Sequence, residues 1–306
     1  MRRVTGIPRL LALPRDAHKG VRGRVLIVAG SLRMSGAARL AGWGALRSGA
    51  GLVTLAVPDA VHAVVAAELA CAMTLPLPTR HGAIAAGGAA LARETAAEVD
   101  AIAVGPGLSR HAGAFLRRFL KGLAAPLVLD ADALNLVAED PAMVEGATGP
   151  RILTPHPGEA ARLLGREVGG GTEERVNAAR EIAERYRATV ILKGPASVVC
   201  DGESLHFNRT GNPGMATGGT GDVLTGILVA RLAAGLSPLD AAVQAAHLHG
   251  RAGDLAAAAV GEQSMVATDL VASLAVAFAE LAEPLVDHAA AAEKGSGVRR
   301  RGRRGR

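Results

Sequence analysis

Aromatic side chains are nearly missing from this sequence of 306 residues, at 2% of the total with one Trp and one Tyr. Binding of single-stranded nucleic acid by stacking bases on aromatic platforms is therefore a poor fit. Cysteine is almost absent too. Cys71 and Cys200 lie far apart, each in an apolar setting, which suggests two buried core thiols in a reducing compartment and not a disulfide framework. No apolar run approaches the roughly 20 residues that cross a bilayer, and the start of the chain has arginines but only a short apolar segment broken by prolines. The expectation is a cytoplasmic protein without membrane attachment. A basic face is lacking as well: the formal net charge is +6, and Arg299, Arg300, Arg301, Arg303, Arg304 and Arg306 account for all of it. The basicity belongs to a tail, and no specific nucleic acid partner is implied.

What the chain has is apolar bulk and glycine. With 49% hydrophobic residues and 39 glycines it can bury a substantial core and turn sharply around it. Short, nearly continuous apolar runs at Arg24–Ala29, Leu52–Val57, Ala101–Val104, Leu127–Leu129, Arg151–Leu153 and Thr189–Leu192 read as strands buried on both faces. Helical patterns fall between them, at 37–47, 59–68, 82–97, 111–120 and 172–186. This alternation predicts an open, mostly parallel sheet with helices on both faces. A β-hairpin is expected at 197–208 around Asp201-Gly202-Glu203, followed by a helical C-terminal third at 221–234, 237–258 and 264–281.

Ligands of such sheets bind beyond the carboxyl ends of the strands, and the polar and glycine-rich signals all fall there. They are Gly30-Ser31, Gly105-Pro106-Gly107, Asp130-Ala131-Asp132, Thr154-Pro155-His156-Pro157-Gly158-Glu159, Lys193-Gly194 and Thr217-Gly218-Gly219-Thr220-Gly221-Asp222. The last opens an apolar helix, so its unpaired N–H groups and close-approach glycines suit a phosphate; a simple helix cap by Thr220 or Asp222 is the alternative. Either a cap or a ligand contact would explain Asp130, Asp132 and Asn135. His156, between two prolines, is held outside helix and sheet and is placed equally well for structure or ligand. His247 and His249 are two apart, cannot share a helix face, and read as packing or cap residues.

In order along the chain, HKG, GRVLIVAGS, GAGLVTLAVP, VGPGL, LDADALN, LTPHPGE, VILKG and GNPGMATGGTGDVLTG resemble the NAD(P)H-hydrate dehydratase family over about residues 18–281. The resemblance implies a ribokinase-like three-layer α/β/α fold with a mostly parallel central sheet. It divides the chain into an irregular lead at 1–17, a dehydratase domain at 18–282 and a disordered Arg-rich tail at 283–306. It also implies a hydro-lyase that returns the S-form of hydrated NADH or NADPH to the reduced nucleotide, with magnesium and with ADP, or else ATP, consumed as phosphoryl donor. Asp222 is then the catalytic base and a substrate contact. Lys193, Gly194, Pro195, Ala196 and Ser197, with Gly219, Thr220 and Gly221, take the nucleotide. Ala37 or Ala38, Gly107 and His156 line the hydrate pocket, with Asp130, Asn135, Glu159 and Asn212 as weaker candidates and no assigned metal ligand. The family also suggests a homotetramer and a separate epimerase as functional partner. A thiazole- or pyrimidine-alcohol kinase of the same fold is the nearer rival, and a nucleotide sensor or RNA-associated protein the more distant one.

Overall fold

The computed structural model describes residues 1–282; the Arg-rich tail predicted from 283 onward lies outside the described residues. In chain order the elements are β1 (Arg2–Arg3), β2 (Arg24–Val28), α1 (Ser35–Arg47), β3 (Leu52–Pro58), α2 (Asp59–Glu68), β4 (Met73–Leu77), β5 (Thr79–Arg80), β6 (Ala83–Ile84), α3 (Ala89–Ala96) and β7 (Ala101–Val104). They continue with α4 (Gly113–Leu120), β8 (Leu127–Leu129), α5 (Asp132–Glu139), α6 (Ala142–Glu145), β9 (Arg151–Leu153), α7 (Pro157–Leu164), α8 (Thr172–Tyr186) and β10 (Thr189–Leu192). The chain ends with β11 (Val198–Cys200), β12 (Ser204–Phe207), α9 (Thr220–Ala233), α10 (Pro238–Val260) and α11 (Ala267–Ala282).

Ten strands form one sheet in the order β1-β12-β11-β10-β9-β8-β7-β2-β3-β4. Among the described residues only β11 of this sheet runs against its neighbours and its other ladders are parallel, while β5 and β6 pair antiparallel in a separate hairpin. Side chains of a strand alternate between faces, and both faces here are covered. Leu26, Val28, Ile102, Val104, Leu127, Leu129, Val190 and Leu192 pack in one core with α4, α5, α7 and α8. Val25, Ile27, Ala101, Ala103, Val128, Ile152 and Ile191 pack in the other with α1, α9, α10 and α11. The continuous apolar runs are thus the product of burial on two sides, and the architecture is three-layer α/β/α.

From β2 the chain winds outward through β3 and β4, then returns to place β7 on the other side of β2. The strand order reverses between β2 and β7, the kind of switch point beside whose carboxyl ends ligands of such sheets bind. The helix pair α1 and α9 covers the site end of this region at close range. A Cβ on Gly44 would lie 2.5 Å from the Val223 carbonyl oxygen, and one on Gly226 would lie 2.1 Å from that of Ala41. The small residues of α1 therefore serve backbone-to-backbone packing.

Several local features differ from the sequence pattern. α1 starts at Ser35, two residues early, because the Gly30-to-Met34 loop closes through the Met34 N–H on the Ser31 carbonyl. Gly82 sits in the β5–β6 turn, and the helix expected from it begins only at Ala89. The third C-terminal helix begins at Ala267, after Asp269 accepts from the Val266 N–H. α5, α6, α7 and β4 are additional to the elements expected from sequence: the three helices are short, and β4 contains Pro76. Arg2–Arg3 in the lead adds an edge strand beside Ser204 and Leu205. Cys200 is buried, but Cys71 is exposed, so its apolar neighbours in sequence do not enclose it.

Replacing Gly226 by Ala forces a methyl into the Ala41 backbone and is expected to cost about 1–3 kcal/mol of stability. Chemical denaturation of wild type and Gly226→Ala, read at unchanged slope, measures it.

Candidate active site

Because nearly every strand is parallel, the loops after β2, β7, β8, β9 and β10 emerge on one edge, and the start of α9 reaches the same edge. Their meeting point is Asp130, the residue after β8, whose side chain is only 2% exposed. Its Oδ1 accepts from Thr154 Oγ1 at 2.7 Å and from Lys193 Nζ at 2.8 Å, while Oδ2 accepts from Thr225 Oγ1 at 2.7 Å. Burial opposes its ionisation, but the Lys193 ammonium and the two hydroxyls outweigh burial and hold the carboxyl below its ordinary value. Lys193 answers in kind. Burial disfavours its charge, yet Asp130 at 2.8 Å, Glu159 at 3.7 Å and the field of Asp222 raise its pKa.

Asp222 lies in the first turn of α9. Burial, reinforced by the negative charges of Asp130 and Asp132 and only partly countered by Lys193, pushes its pKa up to about 7. A carboxylate tuned to that value is half ionised near neutrality and can exchange a proton with substrate. The turn that presents it depends on Gly219, whose φ of +92° is left-handed and whose Cβ would lie 2.4 Å from Leu40 Cδ1. Val223 is the first residue of α9 whose N–H finds a backbone acceptor, the Gly219 carbonyl. The N–H groups before it form an anion-attracting helix start.

A cavity of about 760 Å³ opens beside this helix start, lined by Lys193 to Ser197, Thr220, Gly221 and His156. The candidate nucleotide residues thus converge on one wall, except Gly219, which turns toward α1. On the α1 side, a Cβ on Gly107 would lie 2.8 Å from that of Ala37, so these two candidates are neighbours. Ala38 is fully buried, a Cβ on Gly30 lying 3.4 Å from its own, and presents no surface. His156 N-caps α7: its Nδ1 accepts from the Gly158 and Glu159 N–H groups at 3.0 and 3.4 Å, and Glu159 Oε2 accepts from the His156 N–H at 2.8 Å. Glu159 therefore combines a capping box with an approach to Lys193. Asn135 points elsewhere, accepting from Arg162 Nη1 at 2.9 Å and donating to Asp132 at 3.4 Å. Asn212 caps the turn at Pro213 and donates to Asp254 at 3.1 Å, so it shapes the cavity wall.

Thr225 and Asp254 escaped the sequence reading, while Thr154 is read there only as part of a loop signal and His249 only as packing or cap, which makes four participants to place. Thr154 and Thr225 orient Asp130, and Asp254 accepts from the Gly211 N–H at 3.0 Å. The fourth, His249, lines the cavity and donates Nε2–H to the Thr220 carbonyl at 2.8 Å. Burial, set against that carbonyl, lowers its pKa to about 4, so it stays neutral with Nδ1 an acceptor. Its spacing from His247 ruled out a metal pair but said nothing of a ligand pocket. Among the described residues no group of three or more His, Cys, Asp or Glu could hold a metal. Asp130 has both oxygens engaged, so these side chains do not fit a protein-built magnesium cage.

An α/β/α sheet whose carboxyl edge holds a glycine-rich helix start, a buried Lys and a base-like Asp defines a ribokinase-like protein. A ribokinase-like superfamily protein from Enterococcus faecalis superposes with a TM-score of 0.76 at 25% identity, over 90% of this chain and 93% of that one. The family model for NAD(P)H-hydrate dehydratase matches residues 25–275, and the chain belongs to that family. The ADP/ATP-dependent NAD(P)H-hydrate dehydratase of Bacillus subtilis, co-crystallised with ATP and Mg²⁺, superposes with a TM-score of 0.75 at 31% identity, over 89% of this chain and 95% of that one. The bifunctional NAD(P)H-hydrate repair enzyme of Moorella thermoacetica is 45% identical over 89% of this chain and 52% of its own length. The chain spans about half the length of the curated relatives it matches.

A raised carboxyl pKa in the fold has a stability consequence. Between pH 3.8 and about 7 the folded state binds the Asp222 proton more tightly than the unfolded state, so this group's contribution to stability falls as pH rises through that window. Asp222→Asn removes the penalty. Its melting temperature is expected to exceed that of wild type at pH 8 and to match it near pH 4, as differential scanning calorimetry can test.

Proposed function

We propose that the protein dehydrates the S-form of hydrated NADH or NADPH back to the reduced nucleotide at the expense of ADP, giving AMP and phosphate. The observation that carries this reading is Asp222, with a pKa of about 7 in the first turn of a phosphate-attracting helix start. Hydroxide leaves poorly at neutral pH; phosphate leaves well. Asp222 takes the proton of the substrate hydroxyl as its oxygen attacks the terminal phosphorus of the nucleotide, and the bond from that phosphorus to the departing AMP breaks. The ring-nitrogen lone pair then expels phosphate from the hydrated carbon, and loss of a proton from the adjacent carbon restores the double bond.

Each residue has a part that its position supports. The free N–H groups of the α9 start and the Lys193 ammonium offset charge on the transferring phosphoryl group. Lys193 to Ser197 and Thr220 to Gly221 line a cavity of mononucleotide size, and Ala37 with Gly107 forms the neighbouring cradle for the nicotinamide ring. Magnesium, when bound with the nucleotide, would neutralise phosphate charge alongside the Lys193 ammonium. ATP is the alternative donor, given the nucleotide dependence of the Bacillus subtilis relative. The further proposals are a homotetramer in the cytoplasm and a functional pairing with a separate epimerase that supplies the S-form.

Purified protein with magnesium and hydrated NADH should restore the absorbance band of reduced nicotinamide when ADP or ATP is added and not without nucleotide. Asp222→Asn should lower kcat by about 10²–10⁴, and wild-type kcat/KM should rise with pH through about 7 because the base must be ionised. No recovery with either nucleotide, from folded protein and verified hydrate, overturns the proposal.

A further inference from the structure

A second cavity, of about 500 Å³, lies at the opposite edge of the sheet. Its walls are Pro141, Val144 and Glu145 around α6, Arg151 at the amino end of β9, and Arg185, Tyr186 and Arg187 at the end of α8. Three guanidinium groups face one space with a single carboxylate beside them. Among the described residues none of the three forms an ion pair, with Glu145 or with any other acid.

Their hydrogen bonds leave much of their capacity open. Arg151 donates through Nη1 to the Val144 carbonyl and through Nη2 to that of Ala147, both at 2.8 Å, and its Nε is buried with no partner. Arg185 donates once, to the Leu163 carbonyl at 2.8 Å. Burial first, and then the charge of Arg187, push the Arg151 guanidinium below its ordinary pKa. Arg187 is exposed, and its backbone is left-handed at φ +46°. Tyr186 is buried with its hydroxyl donating to the Leu163 carbonyl at 3.1 Å, so no aromatic face is free to stack a base. The recognised feature is negative charge of compact shape, which planar guanidinium groups bind in a bidentate manner.

We propose that this cavity is a binding site for a small phosphorylated metabolite, one that Arg151, Arg185 and Arg187 hold through a phosphate or diphosphate group. It is separate from the reaction centre and does not depend on the reaction assigned to that centre. The cavity volume admits such a ligand. α8 carries the site at one end, while Arg175 near its other end donates to the Leu192 carbonyl at 3.4 Å, beside Lys193.

The test is calorimetric titration of the full chain with inorganic pyrophosphate, and in parallel with inorganic phosphate, at low ionic strength. Arg187→Glu and Arg185→Gln serve as variants, Arg187 making no side-chain hydrogen bond among the described residues and each variant being checked by circular dichroism. Wild type should bind pyrophosphate more tightly than phosphate. Arg187→Glu should weaken one class of pyrophosphate site by about tenfold or more, Arg185→Gln by less, and both should keep wild-type kcat and nucleotide KM. Pyrophosphate binding by both variants with wild-type stoichiometry and affinity overturns the proposal.

Discussion

The buried pair of Asp130 and Lys193 is the interaction on which the rest of the site depends. An ionised carboxylate this deeply enclosed is tolerable only with its lone pairs engaged, and three donors at 2.7–2.8 Å engage them. Those donors come from the end of β9, the end of β10 and the second turn of α9, while Asp130 itself ends β8. One side chain thereby ties four elements together at the edge where ligands bind. Removing either charge would strand the other in a low-dielectric interior, which is why the pair fixes the geometry rigidly whatever its net contribution to stability.

The pair also sets the chemistry. Asp130 stays ionised, and its negative charge adds to burial in raising Asp222, while Lys193 only partly offsets the effect. Two aspartates in one site are thus driven apart, one held as a permanent anion and the other brought to the proton-exchange range. The start of α9 lies between two surfaces: Gly219 abuts Leu40 of α1, and a Cβ on Gly221 would lie 3.6 Å from Lys193 Nζ. That arrangement sets α1 on one side and the large cavity on the other.

Much of this was legible in the sequence because strands buried on both faces leave continuous apolar runs, and because glycine and proline mark where such strands stop. The runs at β2, β3, β7, β8, β9 and β10 needed no other information, and they placed the ligand-binding edge. The family resemblance, carried by GNPGMATGGTGD and TPHPGE, then assigned the chemistry. What stayed hidden depends on contacts distant in sequence. Asp130 meets Thr225 across 95 residues, so neither the role of that threonine nor the field at Asp222 could be read locally. His249 was set aside on helical spacing, which tests for a shared face and not for a neighbouring pocket. Ala37 and Ala38 could be told apart only by their exposure, and Cys71 had apolar neighbours in sequence without apolar cover in space. α5 and α7 are short helices whose starts double as site loops, and the polar residues that suggested a ligand hid the helix.

Burial, reinforced by the charge of Asp130 and only partly offset by Lys193, holds Asp222 as a carboxyl that ionises near neutrality. Infrared difference spectra of wild type minus Asp222→Asn, recorded between about pH 4 and 9, report that ionisation directly through the carbonyl stretch of the protonated acid. The expected signal disappears with a midpoint near 7, as the pKa of about 7 requires. A midpoint near 3.8, the ordinary value for an aspartate, would contradict it.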